Sequence, residues 1–213
     1  MVCGIKVICL FRFEARTRCE FHEIMAPLVA NPLTRLVAAL TTLKSSAGQT
    51  TILGFYDEVL PLTAGDLEVW ADLRGTGREL PAASGQTAFV GRKGPLDALR
   101  AWILEPSINL EGMTGGYVAP QDKAAVPNFA AAEVRFGLVP NQTPERVFRL
   151  VLDHIATVGF GDVEVQMVSR NPWARCPVDS GSVQPLVRAM DAAFGRGLAI
   201  QHSFAGSGPE GVF

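Results

Sequence analysis

The stretch 131-AAEVRFGLVPNQTPERVFRLVLDHI-155 reads as a strand, a tight turn and a capped helix. Ala130 to Val139 predicts the strand. Thr143 is a good N-cap and Pro144 suits the first helical position. Val147, Leu150, Val151, His154 and Ile155 then recur on one helical face, and Gly159 supplies the stop. One residue does not fit. Gly137 stands between Phe136 and Leu138, where a glycine weakens a strand and packs nothing.

Toward the N-terminus, Ile5 to Arg16 alternates. Ile5, Val7, Cys9, Phe11 and Phe13 share one face, and Lys6, Arg12, Glu14 and Arg16 share the other, which predicts a half-buried strand. Residues 17–30 form a loop with His22 and Pro27. Asn31 and Pro32 open a helix over 31–44 with an apolar stripe of Leu33, Leu36, Val37, Leu40 and Leu43. Ser45 to Gly48 predicts a turn and 49-QTTILGF-55 a second strand. Residues 57–105 change character: helical pieces at Ala64–Leu73 and Pro95–Leu104 flank a Gly/Pro linker at 74–86, as in an insertion. A third strand is expected over Ser107–Glu111, a Gly/Pro loop over 112–128, and a fifth strand over Val163–Val168.

This order predicts an α+β fold: a split β-α-β, ferredoxin-like antiparallel sheet with two helices on one face and a helical insertion. From residue 171 the pattern shifts to a linker, a helix over 182–195, a short strand near 198–203 and a loop at 204–211. One helix and one strand cannot make a core of their own. Residues 171–213 therefore read as a short α/β remnant of a second domain, and 4–170 as the first.

The chain is 48% hydrophobic and 19% charged, with net charge −2, which gives no footing for nucleic acid or an anionic membrane as partner. The longest apolar run, Val7 to Phe11, is only strand length, so no membrane span is expected. Met1 to Leu10 is a poor signal peptide, so a cytoplasmic protein is expected. Cys3, Cys9, Cys19 and Cys176 form no C-x-x-C pair and read as free thiols. His22, His154 and His202 stand alone, with no H-x-D, no H-E-x-x-H and no acidic pair beside them, so a self-contained metal site would be hard to build from this set. Glu111 and Asp122 read as isolated, solvated acids.

Several segments, in order, resemble the M20 family of zinc aminoacylases, dipeptidases and deacylases. They are 20-EFHEIMAPLVANP-32, 54-GFYDEV-59, 105-EPSINLEGMTGGY-117, 123-KAAVPNFAAAEVRFGLVPNQTPE-145 and 205-AGSGP-209. The resemblance implies a two-zinc amide hydrolase in which a glutamate base and a metal-bound water attack the carbonyl. It also implies that this chain is the lid, or dimerisation, portion, with zinc expected in the complete enzyme. The family's H-x-D motif, bridging aspartate, paired glutamates and final zinc histidine have no counterpart here, so the chain is expected to hold no metal itself and to hydrolyse nothing alone. Expected partners are a second copy through the lid, a metal-bearing catalytic half, and a small peptide or N-acyl amino acid.

The same resemblance assigns roles. His22 would reach the scissile carbonyl of the other subunit, and Gly206, Ser207 and Gly208 would line the substrate loop. The family's strand has an arginine for the substrate carboxylate at the position of Gly137. Arg135 lies on the same face, displaced by roughly 7 Å, and is the candidate substitute. Ala124 replaces a Thr or Asn, and Glu23-Ile24 replaces small hydroxyl residues. These departures leave a second reading: a degenerate binding or scaffold domain of the same descent. An independent small enzyme would need a nucleophile–base pair, and no Cys-His or Ser-His pair has a recognisable context.

Overall fold

The computed structural model describes residues 4–62, 64, 85, 89–92, 94–120, 122–171, 174–175, 181 and 183–195. A two-residue strand β1 (Gly4–Ile5) pairs with β8 (Ala174–Arg175), and the centre is a four-stranded antiparallel sheet of β2 (Val7–Arg16), β4 (Ser107–Gly115), β6 (Phe129–Leu138) and β7 (Glu164–Arg170), ordered β4-β6-β2-β7. Helix α1 (Pro32–Thr41) lies in the connection from β2 to β4, and α3 (Pro144–Thr157) joins β6 to β7. Each connection skips one strand, which is the split β-α-β topology the residue pattern implies.

Period-two alternation puts Val7, Cys9, Phe11 and Phe13 of β2 against Ala130, Ala132, Val134, Phe136 and Leu138 of β6, all buried. Helix α1 contributes Leu36 and Ala39, and α3 contributes Val147, Val151 and Ile155. Phe11 and Phe136 meet with ring centroids 4.7 Å apart. Burial at about 25 cal/mol per Å² of apolar surface makes this layer the main source of stability.

The helix starts are as the sequence predicts. The Asn31 side chain accepts from Leu33 N–H at 2.9 Å, and Thr143 Oγ1 accepts from Arg146 N–H at 3.3 Å. Gly159 ends α3 at φ +87°. Arg35 of α1 forks onto Asp162 just beyond α3, with Nε 2.9 Å from Oδ2, and its guanidinium lies over the Phe160 ring.

Two elements are corrected. The expected third strand does not stop at Glu111, since β4 continues to Gly115 through the start of the expected 112–128 loop. Residues 49–55 do not form a strand of the sheet; only an isolated bridge joins Lys44 and Thr50, and the chain then turns through residues 52–58. The apolar Ile52 and Phe55 reach the core from a turn rather than by alternation, because Gly54 adopts φ +77°. Gln142, 1% exposed, fixes that turn: its Nε2 donates to Phe55 O at 2.6 Å while its Oε1 accepts from Val139 N–H at 3.2 Å.

Of residues 57–105, the described part includes α2 (Pro95–Leu104), as predicted, and Ala64 in helical conformation. The rest of the expected helix over 64–73, and the linker at 74–86 apart from Gly85, lie outside the described residues. Helix α4 (Val183–Phe194) matches the expected C-terminal helix; the strand near 198–203 lies outside the described residues.

Candidate functional site

The β2–β6 ladder runs from Val7↔Leu138 to Arg16↔Phe129 and continues with Thr17 N–H donating to Asn128 O at 3.0 Å. Beyond that the register moves. Phe21 pairs with Val126 and His22 with Ala125, as β3 (Phe21–His22) and β5 (Ala125–Val126), and Glu23 N–H donates to Ala124 O at 3.0 Å. Residues 18–20 thus stand opposite Pro127 alone. Proline has no N–H to give a ladder rung, so the ribbon bulges there and continues as a short arm.

His22 stands at the tip of this arm. It N-caps the 3₁₀ turn Glu23–Met25, its Nδ1 accepting from Ile24 N–H at 3.4 Å. Acceptance at Nδ1 leaves the proton of the neutral ring on Nε2. The residue is exposed, so that Nε2–H is a donor open to a group brought from outside.

The sheet face opposite the helices is charged. Arg12 Nε lies 2.6 Å and Arg16 NH2 2.7 Å from the two Glu14 oxygens, and Arg12 lies 3.7 Å from Glu133. The Arg12 and Arg16 hydrogen bonds hold the Glu14 carboxyl below its ordinary pKa. Arg135 is on this face and closes as a fork on Glu111, one bond being 2.8 Å. The expectation that Glu111 is isolated is therefore corrected; the Arg135 hydrogen bond pulls its carboxyl down. A substrate carboxylate at Arg135 would have to compete with Glu111.

Gly137 lies between Ile8 of β2 and Ser107 of β4. A Cβ there would meet Ser107 Oγ at 2.7 Å and the Lys6 Cδ at 3.9 Å. Lys6 runs across this place and is 3% exposed; its Nζ donates to Trp102 O at 2.6 Å and Glu105 O at 2.7 Å. Burial lowers its pKa to about 8, against the opposing pull of Glu105.

Strand β4 is a sheet edge and almost wholly exposed. Between it and α1 runs a groove of about 180 Å³ walled by Val37, Leu40, Leu43, Ile108, Leu110 and Met113. An open edge strand beside apolar side chains is a template for pairing with another chain.

His154 Nε2 meets Thr42 O at 3.0 Å, tying α3 to the end of α1. Cys9 is buried and Cys19 exposed, both as free thiols. Gly206, Ser207 and Gly208 lie outside the described residues. Among the described residues no three His, Cys, Asp or Glu side chains come together as metal ligands, so these residues do not fit a zinc site. No described helix is long and apolar enough to cross a membrane. The pairing of Lys6 with Glu105 O, of Glu111 with Arg135 and of Gln142 with Phe55 O was not legible in the sequence, because these partners lie 99, 24 and 87 residues away and no local pattern marks them.

An α+β domain with a two-stranded arm and an open, apolar-flanked edge defines the class. The family model for the peptidase dimerisation domain of M20 peptidases matches residues 21–162, and the chain belongs to this family. It is 25% identical over 203 residues to the Beta-Ala-His dipeptidase of Rattus norvegicus, covering 92% of this chain and 41% of that protein. It is 30% identical over 140 residues to a Cys-Gly metallodipeptidase of Candida albicans, covering 65% and 28%. Among solved structures, an M20 family metallo-carboxypeptidase from Sulfolobus solfataricus superposes with TM-score 0.86 at 29% identity, over 100% of this chain and 48% of that one. The chain spans less than half the length of these relatives.

Proposed function

We propose that this chain is the lid and dimer-forming portion of an M20-type zinc-dependent amide hydrolase of the dipeptidase or N-deacylase class. Residues 4–170 form the lid, with 57–105 inserted, and 171–213 belong to the catalytic domain. Small peptides or N-acyl amino acids are the substrate class. Two copies associate through β4 and α1, and His22 offers Nε2–H to a scissile carbonyl across the dimer. In the complete enzyme the zinc ions come with ligands outside the described residues.

The observation that carries this reading is the β4 edge, unpaired among the described residues, beside the apolar α1 groove, on a chain with an exposed His22 at the tip of its two-stranded arm. Sedimentation equilibrium tests the first half. A dimer is expected, and a monomer at high concentration would remove the reading. The second half is tested by supplying a separately expressed metal-bearing half from a family member and assaying zinc-dependent dipeptide hydrolysis. Hydrolysis that is lost in His22→Ala is expected. No hydrolysis with Gly137→Arg restored would favour the scaffold reading, which Gly137 and the Arg135–Glu111 pair motivate.

A further inference from the structure

The β3–β5 arm has two residue pairs, too few to hold itself in water. It also follows a bulge, where Pro127 contributes no rung. Something besides the ladder must fix its direction. Glu20, the last bulge residue before Phe21 and His22, takes two partners from the other side of the arm. One carboxylate oxygen accepts from Tyr117 O–H and the other from Lys123 Nζ. The Lys123 ammonium also lies 5.2 Å from the Tyr117 ring centroid.

We infer that Glu20, with Tyr117 and Lys123, is a cross-brace that positions His22, setting the arm's direction from the far side of the bulge. The three residues come from three places: the strand entering the arm, the loop after β4, and the segment feeding β5. Lys123 lies immediately before Ala124, whose carbonyl receives Glu23 N–H, so pulling Lys123 onto Glu20 holds that rung closed. The bond from Ile24 N–H to His22 Nδ1 is one residue further on. Loss of the brace therefore frees the Glu23 and Ile24 amides first and leaves the four-stranded sheet intact. Lys123 and, next, Tyr117 draw the Glu20 carboxyl below its ordinary pKa, so the brace is charged at neutral pH.

The assignment of His22 to catalysis belongs to the proposed function, but the brace is testable without it. Amide hydrogen exchange on the intact chain is the measurement, with Glu20→Ala, Lys123→Met and the charge swap Glu20→Lys with Lys123→Glu. In each single variant, exchange at Glu23 and Ile24 should quicken by about two- to fivefold, the worth of an exposed ion pair, while the α1 and α3 amides hold. The Ile24 amide resonance should move with them. The swap should restore protection at both amides. Unchanged protection at Glu23 and Ile24 in Glu20→Ala would overturn the brace, and so would a swap that restores nothing. A braced arm on a chain that supports no hydrolysis would count against the His22 reading alone.

Discussion

Lys6 spans the sheet to reach Trp102, its ammonium 2.6 Å from that residue's backbone carbonyl at the C-terminal end of α2. A cation at a helix C-terminus complements the helix dipole, but this one is buried, and burial lowers its pKa to about 8. The unfolded lysine keeps its proton to about pH 10.4. Between these values the unfolded chain binds more protons than the folded one, so this group makes stability rise with pH. The full rise is roughly 3 kcal/mol, from about 1.4 kcal/mol per pKa unit. Urea unfolding from pH 7 to 10 should show wild type gaining on Lys6→Met as pH rises. A constant difference would mean that Lys6 titrates normally.

Gly137 is open to a side chain on one condition. The near contact is Ser107 Oγ at 2.7 Å, a hydroxyl that can rotate or be removed; the others are at 3.8 and 3.9 Å. Replacing a strand-interior glycine should gain about 0.5–1 kcal/mol. Gly137→Ala in a Ser107→Ala background is therefore expected to be stabilising by that amount over Ser107→Ala alone. Denaturant midpoints with matched slopes decide it, and a clear loss would show that the strand tolerates nothing at this place.

Gln142 satisfies two buried backbone groups from two different segments. Gln142→Leu keeps the volume but strands both, at about 1–3 kcal/mol for each unpaired group. A total loss of roughly 2–6 kcal/mol is expected by chemical denaturation. A loss under 1 kcal/mol would mean that the 52–58 turn is held by packing of Phe55 alone.

Val37→Glu combined with Met113→Lys places charge in the groove between α1 and β4 without touching the core, since these side chains are 45% and 41% exposed. The pair should convert the expected dimer to monomer while leaving the unfolding midpoint of the monomer within about 0.5 kcal/mol of wild type. Sedimentation equilibrium reads the first effect and dilution-matched urea unfolding the second. An unaltered dimer would move the interface elsewhere.

The fold was legible where periodicity was long and caps were clean. Asn31 with Pro32 and Thr143 with Pro144 each announced a helix that starts where they place it, and the alternation read over Ile5–Arg16 forms as β2 from Val7 onward, with Gly4–Ile5 a separate short strand. Residues 49–55 misled because two threonines, an isoleucine and a phenylalanine suit a strand, yet Gly54 at φ +77° bends them into a turn. Of the site, His22 could be picked from its sequence neighbours, but its tautomer could not, since that depends on Ile24 folding back upon it. The Arg135–Glu111 pair needed both the β4–β6 register, which sets Arg135 against Asn109, and the bulge that leaves Glu111 unpaired between Leu110 and Gly112. Pairing across an antiparallel sheet is a long-range decision that local composition does not carry.

The segment between the 52–58 turn and β4 is moored at both ends by groups belonging to the sheet or its turns. Gln142 and Asn141 grip the outgoing end through Phe55 O and Glu58 O, and Lys6 grips the returning end through Trp102 O and Glu105 O. Loop-closure entropy grows only slowly with length, and with its endpoints moored the sheet is indifferent to how much chain lies between them. The four bonds thus act as staples: a change in chain length between Glu58 and Pro95 leaves each of them, and the sheet they tie to, in place.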